Sequence, residues 1–343
     1  MTRVAVDLLG GDAGPDVVSE GICSFLSGGM TPPSTAHVVL VGPRDVAETA
    51  RERCAVAALD PTQVSVMEAS RAVPMSATTS EVLGDIRTEP RVTSIVGMDA
   101  IKSGQVDAFV SMGHTGATVA SAVLSLGRIP GMGKPGLAVE LPSRTGPVVL
   151  TDAGASPQVT ATDMTCFAAA GLAYAESLGV RAPRVGLLSV GAERGKGDML
   201  RREADRQLEE VFGGTYAGPV EAHDLLGGGR ADVVVVDGFT GNVTLKAMEG
   251  ALLWSVAAMG RVYGTEGPAR EVLRTSHHLS GGVLLGVLGV VVVGHGASSP
   301  AEVAACIARA ERTHVTGVVS DIQRSMESLG KMAVMDESTI DRD

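Results

Sequence analysis

Residues Ala231–Lys246 read ADVVVVDGFTGNVTLK. Val233–Val236 is an unbroken β-branched run, the pattern of a strand covered on both faces. Asp237 ends the run, and Gly238 and Gly241 let the backbone turn sharply and approach a ligand closely. Thr240 and Asn242 are suited to cap a helix predicted to start near Val243, with Lys246 in its first turns. Helix-start amides beside a lysine make a seat for an anion.

The same strand, turn and helix recur outward from this stretch. Arg3–Asp7, His37–Val41 and Gln63–Met67 are predicted strands, with Pro15 and Pro43 opening the helices that follow the first two. Thr78–Ser94 is polar and broken by Pro90, which predicts an exposed loop or a short helix pair. Ile95–Ser103 reads as helix, Val106–Ser111 as strand, Met112–Gly116 as its turn and Ala117–Leu126 as a helix of small residues. Leu137–Glu140 and Pro147–Asp152 read as strands joined by a turn at Pro142–Gly146. Thr162–Leu178 reads as an alanine-rich helix, Arg184–Val190 as a strand and Met199–Val211 as a charged amphipathic helix. After the opening stretch a helix is expected to about Gly260, then a more polar one over Thr265–His278. Ser299-Pro300-Ala301-Glu302 is a capping box that starts a helix through Arg312. Strands alternating with helices predict an α/β protein with a mostly parallel sheet flanked by helices. No Pro/Ser/Gly-rich linker divides the chain. Residues 1–330 are therefore expected to form one unit with two lobes around a cleft, and 331–343 a polar tail.

The 343-residue chain is 45% hydrophobic but only 3% aromatic, so its core must be aliphatic. A formal net charge of −11 argues against nucleic acid as the main partner. It leaves room for a small anionic substrate in a locally positive pocket. Cys23, Cys54, Cys166 and Cys306 are widely spaced with no CxxC pair. That argues against a disulfide framework or zinc site and fits a reducing cytoplasm. Met1 leads directly into a strand, which predicts no secretory signal. The longest apolar run, Val283–Val293, is interrupted by Gly286 and Gly289 and is too short to span a bilayer.

Candidate chemistry gathers at the strand exits: Asp7–Asp12, Ser111–Gly116, Asp152–Ser156, Ser189–Asp198, Asp237–Asn242 and Gly294–Ser299. Ligands of open α/β sheets bind outside the carboxyl ends of strands. Any single turn of this kind is explained by the ordinary need for glycine and a cap, but all six together point to a shared cleft. Gly191–Gly197 is one residue short of a phosphate loop, and Gly197 stands where a magnesium-binding Ser or Thr belongs. No GxGxxG follows the first strand, and neither HExxH nor a GxSxG elbow occurs. Lys196, flanked by glycines, reads equally as an anion contact or a solvated lysine. His114 sits in a turn, which favours a ligand role over a structural one. Asp152 and Asp237 end strands, where either a cap or a site fits. His277-His278 reads as a solvated pair and Cys166 as core.

Taken in order, the motifs resemble the bacterial phosphate acyltransferase family PlsX (fatty acyl-acyl carrier protein:phosphate acyltransferase), from Met1 to about Leu329. VAVDLLGGDAGP is similar to the family's DAMGGDxxP opening, VDAFVSMGHTGA to ADAxVSAGNTGA, and TDAGAS to DxGAN. VGLLSVGAERGKGD is similar to VGLLNIGxExxKG. ADVVVVDGFTGNVTLK is nearly the family form, and Gly281–Gly286 and His295-Gly296 match its late GGAxLLG and HG elements. The resemblance implies a three-layer α/β/α fold like that of the isocitrate dehydrogenase and phosphotransacetylase group. It implies a homodimer that passes an acyl group from acyl carrier protein to inorganic phosphate, for phospholipid synthesis, without a cofactor or metal. It also implies a cytoplasmic location with peripheral membrane contact through a helical hairpin, here Ala247–His278. Leu252, Leu253, Trp254, Val256 and Met259 would supply its apolar surface, and burial in a dimer explains them equally well. Its charges balance, Arg261, Arg270 and Arg274 against Glu249, Glu266 and Glu271, so attraction to anionic lipid should be weak.

Lys196, Asp237 and His114 are the catalytic candidates, with Asp237, His114 or no group at all as the general base. Substrate and phosphate binding is expected at Asp7, Gly10, Gly11, Asp12, Gly113, Thr115, Gly116, Asp152, Gly154, Ser156, Thr240, Gly241, Asn242, Lys246 and His295. His114 and Ser156 replace asparagines of the family pattern, and Arg87–Ser94 lacks the usual lysines. These departures keep two alternatives open: a diverged acyltransferase of specialised metabolism with another donor or acceptor, and a non-catalytic paralogue that binds acyl carrier protein.

Overall fold

The computed structural model describes residues 1–28, 34–57, 60–88, 91–264, 267 and 281–340. Two compact units emerge: unit 1 is Met1–Ile129 with Ser280–Asp321, and unit 2 is Pro130–Leu279 with Ile322–Asp343. Unit 1 opens with β1 (Arg3–Asp7), α1 (Pro15–Leu26), β2 (His37–Gly42), α2 (Arg44–Ala57) and β3 (Val64–Glu68). It continues through α3 (Thr79–Thr88), α4 (Thr93–Lys102), β4 (Ala108–Ser111) and α5 (Thr115–Ser121), which runs on as a π-helical turn over Ala122–Leu126. Unit 2 holds β5 (Gly136–Ser143), β6 (Gly146–Thr151), α6 (Ala161–Ser177), β7 (Val185–Leu188) and α7 (Met199–Phe212). After these come β8 (Tyr216–Val220), the one-turn α8 (Asp224–Gly227), β9 (Val233–Val235) and α9 (Gly238–Tyr263). Unit 1 is completed by β10 (Gly282–Leu285), β11 (Val290–Val293) and α10 (Pro300–Val315), and the last helix is α11 (Val318–Ile340).

In unit 1 the strand order is β3-β2-β1-β4-β11-β10, and in unit 2 it is β5-β6-β9-β7-β8. Only β10 with β11 and β5 with β6 are antiparallel among the described pairings. The rest run parallel, for example Arg3↔His37 through Asp7↔Val41. This is the mostly parallel α/β sheet architecture that the alternating pattern predicts. Parallel strands are covered on both faces, and accordingly Val4, Ala5 and Val6 of β1 and Val233–Val235 of β9 are at most 2% exposed.

The helices show why their sequences differ. Nearly the whole circumference of α6 is buried, including Phe167, Ala168, Ala170 and Tyr174. Its composition is therefore alanine-rich instead of amphipathic. By contrast α7 buries only Ala204, Asp205 and Leu208, and its charges face outward. The capping box at Ser299 is present: Ser299 N donates to Glu302 Oε2 at 2.6 Å, and Glu302 N donates to Ser299 Oγ at 3.4 Å.

Several expectations shift. Helix α9 starts at Gly238, not near Val243, because Asp237 is its cap: Thr240 N donates to Asp237 Oδ1 at 2.9 Å. Thr240 and Asn242 lie inside the start of the helix instead of capping it. Likewise α5 starts at Thr115, with the imidazole of His114 as cap. Strand β8 escaped the sequence reading, because Gly218 and Pro219 mask it; proline is tolerated there because β8 is an edge strand. The apolar run Val283–Val293 is a tight antiparallel hairpin. Most of the expected tail is helical, in α11. Val256 is buried on α9, so it does not add to the exposed apolar surface. The second arm of the expected hairpin, Thr265–His278, lies outside the described residues except for Gly267. No described helix is long and apolar enough to cross a membrane.

Candidate active site

Unit 1 brings its candidate residues to the carboxyl ends of β1, β4 and β11. Asp7 is 2% exposed at the end of β1. Its carboxylate accepts from Leu9 N at 3.0 Å and from Ser111 Oγ at 2.8 Å, and Ser111 Oγ in turn accepts from Gly113 N at 3.0 Å. Burial pushes this carboxyl above its ordinary value, while bonds from Ser111, Thr93, Leu9 and Gly10 act the other way. Gly10 is required here: a Cβ would lie 2.7 Å from Gly113 N. Asp12 N donates to Gly296 O at 2.7 Å, which places the His295-Gly296 turn against the Gly10–Asp12 turn. The backbone N–H of His295 donates to Ser298 Oγ at 3.2 Å.

His114 opens α5 with both ring nitrogens engaged. Nδ1 accepts from Ala117 N at 3.2 Å. That makes Nε2 the protonated nitrogen, donating to Ala77 O at 3.2 Å. Thr115 and the exposed Gly116 follow in the first turn of α5.

Unit 2 gathers the ends of β6, β7 and β9. Asp152 is fully buried, and its carboxylate accepts four backbone N–H bonds: from Leu137, Gly154 and Ala155 at 2.8 Å and from Ser156 at 2.6 Å. Burial pushes this carboxyl up, and the four donors pull it down. Ser156 Oγ donates to Pro135 O at 2.8 Å, and Ser156 O accepts from Gly238 N at 3.1 Å. The turn therefore packs directly on the start of α9. Gly241 makes that possible, since a Cβ there would collide with Asp152 O. Gly154 borders Asn242, with 3.4 Å from its would-be Cβ to the asparagine Cβ, a contact without collision.

The centre of unit 2 is a residue that the sequence reading passed over. Arg201, in the first turn of α7, is ion-paired through Nη2 with Asp237 and donates from the same nitrogen to Thr240 Oγ1 at 2.8 Å. Its Nη1 reaches Asp198 Oδ2 at 3.0 Å. Burial pushes the Asp237 carboxyl up, but the hydrogen bonds from Thr240 and the Arg201 charge outweigh it and hold it below its ordinary value. A pocket of about 390 Å³ opens beside this knot, lined by Ser189, Gly197, Asp198, Arg201, Thr240 and Thr244, among others. The loop on its rim is anchored by Arg194, which pairs with Asp205 at 2.9 Å and Glu209 at 2.7 Å. The two candidate lysines are not drawn in: Lys196 pairs with Glu193 at 2.7 Å and Lys246 with Glu249 at 2.9 Å, and both side chains are half exposed. One signal could have exposed Arg201. A cation in the first turn of a helix opposes the helix dipole, so it calls for an acidic partner.

The α/β fold is shared with solved structures of low sequence identity. The EutD phosphotransacetylase from Staphylococcus aureus superimposes with a TM-score of 0.55 at 16% identity, over 91% of this chain and 94% of that one. A branched-chain phosphotransacylase from Enterococcus faecalis V583 gives 0.57 at 13% identity, over 92% and 99%. A family model described as "Fatty acid synthesis protein" matches residues 2–266. A phosphate acyltransferase of Thermus thermophilus is 38% identical over 340 residues, covering 95% of this chain and 99% of the relative. That of Thermotoga maritima is 33% identical over 338 residues, covering 94% and 97%. The chain belongs to this fatty acid synthesis protein family, PlsX, and is an acyltransferase.

The Arg201–Asp237 pair yields a pH prediction. Asp237→Asn keeps the acceptor for Thr240 N but leaves Arg201 without its buried counter-charge, and should cost about 3 kcal/mol at neutral pH. The native Asp237 value lies below the ordinary 3.8, so the pH-dependent part of this contribution is present above 3.8 and is lost as the pH falls through the native value. Urea unfolding of wild type and variant across that range checks this. A difference that stays constant down to full protonation contradicts it.

Proposed function

We propose that the chain transfers an acyl group from an acyl carrier protein thioester to inorganic phosphate, and that the acyl phosphate formed feeds phospholipid synthesis. The observation that carries the reading is the near-full-length identity to proteins named phosphate acyltransferase. In our reading, phosphate is seated in the unit 2 pocket. The guanidinium of Arg201 faces it, the hydroxyls of Ser189, Thr240 and Thr244 line it, and α7 and α9 both begin beside it. Entering phosphate competes with Asp198 for Arg201 Nη1; the Asp198 side chain is 60% exposed and gives way at small cost. Lys196 on the same loop can turn from Glu193 toward the bound anion for a similar reason.

Phosphate is anionic at neutral pH and needs neither a serine nor a cysteine nucleophile. One of its oxygens attacks the thioester carbonyl carbon, the oxyanion forms, the C–S bond breaks and the carrier thiolate leaves. The protein's part is to position the two reactants and stabilise the developing charge. Asp237 then serves to aim Arg201, because a carboxyl held below its ordinary value is a poor base. His114, with both nitrogens engaged, orders the start of α5 instead of moving a proton. Asp152 and Ser156 shape the turn that supports Asn242 and Gly241. The backbone turns at Gly10–Asp12, Gly113–Gly116 and His295 remain the proposed substrate contacts of unit 1.

A homodimer and weak peripheral membrane contact belong to the same reading. Leu253, Trp254 and Met259 on α9 are each more than half exposed, an apolar surface suited to a second copy of the chain. Sedimentation equilibrium should give a dimer for wild type and a weakened one for Trp254→Glu; a wild-type monomer at assay concentration contradicts it.

Incubation with palmitoyl-acyl carrier protein and phosphate, followed by hydroxylamine trapping, should give phosphate-dependent acyl hydroxamate. Arg201→Ala should lower the rate about 100-fold, with circular dichroism verifying the fold. Product only with another donor or acceptor favours a diverged acyltransferase, and carrier binding without any turnover favours a binding protein. A covalent acyl-enzyme formed without phosphate overturns direct transfer.

A further inference from the structure

Unit 1 holds two thiols that acyl transfer does not use. Cys23 on α1 and Cys54 on α2 face each other with their Sγ atoms 2.9 Å apart. Both are free thiols; Cys54 is fully buried and Cys23 is partly exposed. A disulfide bond measures about 2.05 Å, so the sulfurs need to close by only about 0.9 Å. The two are not equivalent. The hydrogen bond between the two thiols, together with nearby Arg53, holds Cys23 below its ordinary value despite partial burial. Cys54 carries the proton and is pushed up by that hydrogen bond and by burial. A groove of about 240 Å³ runs between the same helices, lined by Asp16, Ser19, Asp45, Thr49 and Arg53 among others. Ser19 lies one helical turn before Cys23, and Cys54 Sγ sits 3.7 Å from Ser19 O. The other two cysteines contrast with this pair: burial pushes Cys166 and Cys306 each up to about 11.

We propose that Cys23 and Cys54 form a reversible thiol–disulfide modification site, oxidised to an intramolecular disulfide by a low-molecular-weight disulfide. The partly exposed Cys23 thiolate attacks one sulfur of the oxidant RSSR. The RS–SR bond breaks, a Cys23–S–S–R bond forms, and RS⁻ leaves and takes up a proton as RSH. Cys23 is then neutral, so the charge that held the proton on Cys54 is gone. Cys54 loses that proton, attacks Cys23 Sγ and expels the second RS⁻ as RSH. Two thiols are oxidised and one RSSR is reduced to two RSH, with no other co-reactant. The bond ties α1, which follows the Asp7–Asp12 turn, to α2, and closes a loop between residues 31 apart in sequence. The proposal does not depend on the acyl-transfer reading.

The test uses the full chain with glutathione disulfide at neutral pH, then alkylation under denaturing conditions, non-reducing tryptic digestion and mass spectrometry. The expected result is one linked peptide pair joining Cys23 to Cys54, with Cys166 and Cys306 alkylated, and full reversal by dithiothreitol. In Cys54→Ser, Cys23 should accumulate as the glutathione adduct. In Cys23→Ser, Cys54 should stay a thiol. Recovery of both cysteines as alkylated thiols from wild type overturns the proposal, as does a link to Cys166 or Cys306.

Discussion

The ion pair of Arg201 with Asp237 ties the first turn of α7 to the first turn of α9 and fixes the wall of the unit 2 pocket. Neither partner would be placed there for stability alone. Removing both charges from water costs several kcal/mol per ion before attraction returns any of it. A cation in the first turn of α7 also opposes that helix's dipole. Two carboxylates offset this, Asp237 through the buried pair and Asp198 through a bond at 3.0 Å on the exposed side. Asp237 is doubly employed, since its other oxygen caps α9. The guanidinium is thereby held in one orientation, with Thr240 Oγ1 sharing its Nη2. An arginine whose position is set before substrate arrives can stabilise negative charge without reorganising.

Beneath this knot, the Asp152 carboxylate organises the neighbouring turn by accepting four backbone N–H bonds. Loss of those bonds would leave buried donors unsatisfied, each costing about 1–3 kcal/mol. Gly241 then lets α9 settle onto the turn at a distance no side chain permits. The buried carboxylates thus serve backbone geometry. The polar groups that line the pocket are chiefly arginine and short hydroxyls, which suits recognition of a small anion more than proton transfer.

The parallel sheet was legible because buried strands such as Val233–Val236 carry a strong β-branched signal and end in glycine turns. Strand β8 was not, because an edge position tolerates Gly218 and Pro219 where a central one would not. The candidate turns were legible as places, but not in their roles. His114 stands where the family resemblance has asparagine, and the structure gives it the part an asparagine can play, as a side-chain acceptor for an N-terminal amide of α5. Ser156 likewise makes one hydrogen bond, to Pro135 O, that an amide side chain could also donate. Both residues thus make hydrogen bonds of a kind that asparagine can also make. Arg201 was hidden because α7 looks like a solvated charged helix, and only its partner 36 residues later in the chain gives the arginine a buried role.

The most direct measurement is a titration of the isotope-labelled full chain with inorganic phosphate, followed amide by amide by nuclear magnetic resonance. Saturable shifts centred on Ser189, Gly197, Arg201, Thr240 and Thr244 are predicted, together with their loss in Arg201→Ala. Shifts confined to the Gly10–Gly11 and Gly113–Gly116 turns, or no saturable shifts near Arg201, would contradict a phosphate seat at this arginine.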